Sequence, residues 1–203
     1  PISCRKQLDG MLYANTLVAG PRGTVLVAGG YCGGPYIPWW GHFTADGVKL
    51  AEGDDMIWSP GPGVTDARFE KDGSLRLLDS RFAVLGRFDS MLSSYGPNGV
   101  LKGRRTLLEG GGEGGATLFT PQGIAFFGRG RDAGLGTYLF DREGRMTGKA
   151  PWADREHAPS ELIVDGDDLA GLVDLPGGAK EVVRIPTTGP AAGTVAWRSP
   201  ALV

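Results

Sequence analysis

Phe69-Glu-Lys-Asp-Gly73-Ser-Leu-Arg-Leu-Leu-Asp79 decides the fold. An apolar residue stands four positions before a turn residue, here Phe69 before Gly73, and a run rich in apolar residues follows. Five or six such residues make a β-strand; a helix would need ten or more. The same phrase returns at Ala19/Gly23, Phe119/Gly123 and Val164/Asp168, in steps of 50, 50 and 45 residues. The runs that follow are Thr24-Val-Leu-Val-Ala-Gly29, Ile124-Ala-Phe-Phe-Gly128 and Leu169-Ala-Gly-Leu-Val173. A second phrase pairs Phe43/Gly47, Tyr95/Gly99, Phe140/Gly144 and Ile185/Gly189, in steps of 52, 45 and 45. Two registers advancing together imply a repeat of about 45–50 residues, the period of a propeller blade. Lys71-Asp72-Gly73, Ala45-Asp46-Gly47, Pro97-Asn98-Gly99 and Arg142-Glu143-Gly144 read as hairpin turns of the kind whose two central residues need positive φ.

Each unit therefore reads as four antiparallel strands. The expected fold is all-β: a small four-bladed β-propeller of antiparallel four-stranded sheets around a central axis, with almost no helix. It forms a single domain over 1–203, with blades at about 11–58, 64–108, 115–152 and 160–198. A β-sandwich, or a fragment of a larger propeller, is the alternative. Three units end an outer strand on tryptophan, at Trp58, Trp152 and Trp197. A flat aromatic there is expected to cover the gap between neighbouring blades.

Composition agrees. The chain has 203 residues with 41% hydrophobic and 22% charged residues, which suits a globular core. Its 35 glycines lack a triplet period, which excludes collagen. No apolar run reaches about 18 residues, so no membrane span is expected. A net charge of -2 indicates neither a nucleic-acid nor a membrane-surface partner.

At Tyr138-Leu-Phe-Asp-Arg-Glu-Gly-Arg-Met146, ending at Trp152, the chain resembles the second half of a kelch-type or quinoprotein-type blade. Val25-Leu-Val-Ala-Gly-Gly-Tyr31 is similar to the kelch double-glycine strand. The resemblance is to β-propeller repeat proteins as an architecture and covers nearly the whole chain. Only the first unit has the double glycine, and no quinone-binding residues carry over.

The two cysteines, Cys4 and Cys32, are expected to form one disulfide in an oxidising compartment, the alternative being two free thiols. The chain begins at Pro1, and the expectation is that an upstream segment is missing. Together these point to a periplasmic or secreted protein. Two cysteines and two histidines at no standard spacing do not make a zinc site.

Blade topology sends the strand-two-to-three loops and the blade-to-blade loops to one face. That face gathers the candidate binding residues Tyr31, Tyr36, Trp39, Trp40, Arg81, Phe82, Arg87, Arg129, Arg131, Trp152, Arg155 and His157. Stiff aromatics and Arg give contact area at little entropic cost. Trp39 and Trp40 also read as third-strand residues, at least one of them packed inside. The opposite face carries tight glycine turns. Gly128-Arg-Gly-Arg-Asp-Ala-Gly-Leu-Gly136 follows a strand but opens no helix, so it is not a nucleotide loop. Asp165-Gly-Asp-Asp168 lacks the remaining ligands of a calcium loop and reads as a turn. His42, beside Phe43 in a strand, reads as structural.

No catalytic set assembles. A serine-nucleophile elbow is absent, and Asp54, Asp55, Glu109 and Asp154 have no separation that sequence can supply. No cofactor is expected. The reading is a non-catalytic exported module that binds another protein, as an inhibitor or immunity protein for a secreted toxin or enzyme. A glycan-binding propeller is the first alternative, and a small glycoside hydrolase the second.

Overall fold

The computed structural model describes residues 11–32, 38–54, 63–82, 88–111, 116–130, 134–152 and 159–200. Among them are four antiparallel sheets of four strands, taken in chain order. The first holds β1 (Met11–Ala19), β2 (Val25–Cys32), β3 (Pro38–Phe43) and β4 (Lys49–Asp54). The second holds β5 (Gly63–Phe69), β6 (Leu75–Phe82), β7 (Phe88–Tyr95) and β8 (Leu101–Gly111). The third holds β9 (Ala116–Phe119), β10 (Gly123–Gly130), β11 (Gly134–Asp141) and β12 (Met146–Pro151). The fourth holds β13 (Pro159–Asp165), β14 (Asp168–Asp174), β15 (Lys180–Pro186) and β16 (Trp197–Arg198). These are the blades of a four-bladed β-propeller. Helix is confined, among the described residues, to single 3-10 turns at Pro21–Gly23 and Pro176–Gly178.

The repeat has a physical cause in its turns. At Thr44–Val48, Thr44 N–H donates to the Val48 carbonyl at 2.9 Å and Gly47 N–H to the Thr44 carbonyl at 3.0 Å. The same pair of bonds closes Glu70–Ser74, Gly96–Val100, Asp141–Arg145 and Leu175–Ala179. Each turn has its glycine at positive φ, +81° at Gly73 for example, while Asp46, Asp72, Asn98 and Glu143 do not. This corrects the expectation of two positive-φ residues per turn. The four hairpins at Gly47, Gly73, Gly99 and Gly144 are three-residue loops, a type I turn closed by one left-handed glycine, instead of two-residue loops, while the turn at Leu175–Ala179 has both Gly177 and Gly178 at positive φ. Short side chains brace them: Asp72 Oδ1 accepts from Ser74 N–H at 2.9 Å, and Asn98 Oδ1 from Val100 N–H at 3.3 Å.

The chain divides into two compact units, Pro1–Thr106 and Leu107–Val203. In the first, Leu26, Ala28 and Trp40 of β2 and β3 pack on Val64, Ala67, Leu75, Leu77 and Tyr95 of β5, β6 and β7. In the second, Ala125 and Leu139 of β10 and β11 pack on Leu169, Val173, Val183 and Ile185 of β14 and β15. Burying each such Leu, Ile or Val contributes about 1.5–3 kcal/mol. Trp152 lies at the edge of this second core, its ring 5.2 Å from Phe127 and edge-on. Trp197 departs from the expectation. It is 53% exposed, because β16 has only two residues and holds it on an edge strand. Trp58 and Cys4 lie outside the described residues. The Cys32 backbone pairs with Met11 at the end of β2.

Candidate functional site

Antiparallel connectivity fixes what each sheet end carries. In the first unit the tight turns β1–β2, β3–β4, β5–β6 and β7–β8 occupy one end of their sheets. The β2–β3 and β6–β7 connections leave from the other. In the second unit the β10–β11 connection and the chain leaving β12 share one end of their sheet. The loop-borne candidates belong to these ends.

Of the candidates, Tyr36, Arg87, Arg131, Arg155 and His157 lie outside the described residues, as do Asp55 and Asp154. Tyr31, Arg81 and Phe82 are placed by backbone alone, at the last positions of β2 and β6. Trp39 and Trp40 are 8% and 3% exposed and belong to the core, so neither is a surface platform. The physical reason is local. Trp40 stands edge-on to Tyr95 at 5.1 Å, and Gly53, without a Cβ, leaves the space its indole fills. Trp40 Nε1 is buried with no hydrogen-bond partner among the described residues.

Two candidates come together. Arg129, exposed near the end of β10, pairs across the ladder with Leu135 of β11. The Leu135 carbonyl accepts from Trp152 N–H at 2.9 Å. Trp152 is half-buried and fixed by its own hydrogen bond, Nε1–H to Thr137 Oγ1 at 2.9 Å. The Arg129 and Trp152 backbones thus both adjoin Leu135 at the loop end of the third sheet, the first residue exposed and the second held by its indole.

The opposite end of the second unit holds a feature that the sequence reading missed. A cleft of about 380 Å³ has Ile124, Leu139 and Phe140 in its lining, together with Thr120, Gln122, Asp141, Thr147 and Thr187. Gln122 Nε2 donates to Asp167 Oδ1 at 2.7 Å, and its Oε1 accepts from Thr187 Oγ1 at 3.2 Å. Gln122 and Asp167 are one repeat apart, at the position before Gly123 and Asp168. The 45-residue step was therefore the available signal. Asp165–Asp168 is the turn it was read to be, closing β13 onto β14.

Chemically the cleft offers hydroxyls and an amide. Its carboxylate is occupied: Asp141 Oδ2 accepts from Arg145 Nε at 2.7 Å and Oδ1 from two backbone N–H groups. The Arg145 bond, then the backbone bonds, hold Asp141 below the usual carboxylate range. A carboxylate so held makes a poor general base. Among the described residues no three His, Cys, Asp or Glu side chains cluster as a metal site. No described helix is long and apolar enough to cross a membrane. His42 is structural, as read: its Nε2 lies 2.7 Å from Thr24 Oγ1 and its ring 4.7 Å from Phe69. Burial lowers its pKa.

No protein-family model matches the chain, and no curated protein matches it in sequence. Solved structures match it in shape. Against the apocarotenoid oxygenase of Synechocystis the TM-score is 0.57 at 11% identity, covering 95% of this chain and 51% of that one. Against the neuraminidase-like protein of the A/bat/Guatemala isolate it is 0.53 at 13%, covering 90% and 57%. A second neuraminidase-like protein, from the A/flat-faced bat/Peru isolate, gives 0.51 at 10%, covering 96% and 74%. The chain spans little more than half the length of the first two. The neuraminidase-like proteins are propellers, and at these identities what is shared is the fold.

Proposed function

We propose that the chain is a non-catalytic module that binds another protein through the loop-bearing ends of its blades. The observation that carries this reading is that exposed Arg129 and anchored Trp152 both adjoin Leu135 at the loop end of the third sheet. Arg and Trp are the side chains most often found at binding hot spots, and here a strand position for Arg129 and an indole hydrogen bond for Trp152 lower the entropic cost of presenting them. The five-residue turns at the other ends spend their polar groups on bracing themselves, as at Asp72–Ser74 and Asp141–Arg145. An exported inhibitor or immunity protein, stabilised by a Cys4–Cys32 disulfide worth about 3 kcal/mol in the chain-entropy model, fits this reading.

The test begins with affinity capture from the native organism and mass spectrometry. With the partner in hand, Arg129→Ala and Tyr36→Ala should each weaken binding about tenfold or more, whereas Lys71→Ala and Arg142→Ala should not. The reverse result would place the binding surface at the turn ends. A second reading, a small neutral polyhydroxylated ligand, is favoured only by the hydroxyl-lined cleft. It predicts that Thr187→Val or Gln122→Leu abolishes glycan binding measured by calorimetry.

A further inference from the structure

The last strand of each sheet has a strand neighbour on one side only, among the described residues. Such an edge is a template for pairing with another chain, and proteins keep it short or guard it. Three of the four are short. β16 has two residues and is followed by Pro200, β12 has six and ends on Pro151, and β4 has six. β8 is the exception, running 11 residues without a proline.

The first six residues of β8, Leu101-Lys-Gly-Arg-Arg-Thr106, lie wholly within the first unit. All are exposed except half-buried Arg104. Lys102, Arg104 and Arg105 are among them, with no carboxylate. Arg104 Nε–H donates to Ser93 Oγ of β7 at 3.1 Å, and Ser93 Oγ–H donates to Asp79 Oδ2 of β6 at 3.1 Å. Arg104 is thereby braced on one face of the sheet, and Arg105, the next residue of the strand, belongs to the other. Gly103 stands between the cations. Its φ is not left-handed, and an added Cβ would meet nothing within 4 Å. The fold of the chain itself makes no demand for glycine here, and glycine weakens a strand. What it leaves is uncovered backbone, open to a large side chain from a strand laid alongside.

We propose that Leu101–Thr106 is a strand-addition site, where an extended acidic segment of a partner protein pairs with β8 as a fifth strand of the second sheet. The charges choose the occupant. Two copies of this edge set against each other would oppose cation to cation, which is how Lys and Arg guard an edge. The same cations attract a strand that bears Glu or Asp. Because Arg104 and Arg105 serve opposite faces, the fitting segment has adjacent acidic residues, with an aromatic residue to cover Gly103. The site is separate from the loop-bearing ends of the blades, so each reading is tested without the other.

The probe is the capped peptide Thr-Phe-Glu-Glu-Val-Thr, titrated into the isotope-labelled full chain and followed by amide shifts and hydrogen exchange. Shifts should centre on Leu101–Thr106, and exchange there should slow. The double variant Lys102→Glu, Arg105→Glu should weaken binding about tenfold or more. Both positions are exposed, so the melting temperature should hold. Lys49→Glu, at an exposed position of β4, should leave binding unchanged. Gly103→Val has room and suits a strand, so it should raise the melting temperature while weakening the peptide, whose aromatic ring it displaces. A peptide with Gln-Gln for Glu-Glu should bind severalfold more weakly, and a backbone N-methylated peptide should not bind. No shift along Leu101–Thr106 at millimolar peptide would overturn the proposal. So would unchanged binding by the double variant, or equal binding by the N-methylated peptide, which would leave charge attraction without strand pairing.

Discussion

Gly73 and Gly123 hold the same step of the repeat, 50 residues apart, yet alanine should cost very different amounts at the two. Gly73 has a φ of +81°, and the nearest atom to an added Cβ is Pro97 Cβ at 3.8 Å. There is room, so the cost is conformational alone: about 1 kcal/mol for an L-residue held left-handed. Gly123 is not left-handed. A Cβ there would drive into the Phe140 carbonyl oxygen and sit 2.9 Å from the Asp141 carbonyl carbon. Gly123 pairs with Asp141 at the first rung of β10 and β11, and its N–H and carbonyl both bond Thr120. The backbone must move, and overpacking of this kind costs about 3 kcal/mol. In a chain of this size 1 kcal/mol lowers the melting temperature by about 2–4 °C, so Gly123→Ala should lose about three times what Gly73→Ala loses. Asparagine tolerates the left-handed region, so Gly73→Asn should recover part of the loss, and Gly123→Asn none. Thermal and urea unfolding, followed in the transition of the unit that carries each change, give the numbers. Equal losses at the two positions, or no rescue by Gly73→Asn, would refute the reasoning.

The blades were legible because hairpin turns punctuate them at a fixed step, and the punctuation is chemically strict. A left-handed residue closes the turns at Gly47, Gly73, Gly99 and Gly144, and glycine supplies it. The turn type was not legible, because Asp-Gly serves two-residue and three-residue loops alike. Only the number of residues between the last ladder pairs separates the two. Trp39 and Trp40 were ambiguous for a different reason. Adjacent strand residues alternate faces, so one was expected inside. Both are buried because each face of this sheet position meets packed atoms, Tyr95 for Trp40 among them. The Gln122–Asp167–Thr187 cluster was hidden because its members lie 45 and 20 residues apart and none belongs to a recognised motif. Stacking of equivalent turn positions is visible only when the repeat is aligned on itself.

Three further outcomes follow from single contacts. Thr137→Val should cost about 1–2 kcal/mol, read by urea unfolding, since it leaves the Trp152 indole N–H without its acceptor at nearly constant volume. Gln122→Ala should cost about 1 kcal/mol and raise hydrogen exchange at the β13–β14 turn, where Asp167 loses its donor. The third concerns pH. Thr24 Oγ1 donates its one proton to the Pro21 carbonyl at 2.8 Å, so the bond to His42 must come from Nε2–H. A second proton would therefore land on Nδ1, in a ring packed against Phe69 at 4.7 Å. Burial opposes that charge and lowers the His42 pKa from 6.5. The unfolded chain then binds the proton more readily than the folded one, so this contribution is complete above about pH 6.5 and is lost as pH falls through the lower folded value. His42→Gln keeps an N–H donor and removes the titration. Stability of the parent protein should decline as pH falls below about 6.5, and the decline should be shallower in His42→Gln. Identical pH slopes for the two proteins would show that His42 titrates alike folded and unfolded, and that burial of its ring exerts no hold on the proton.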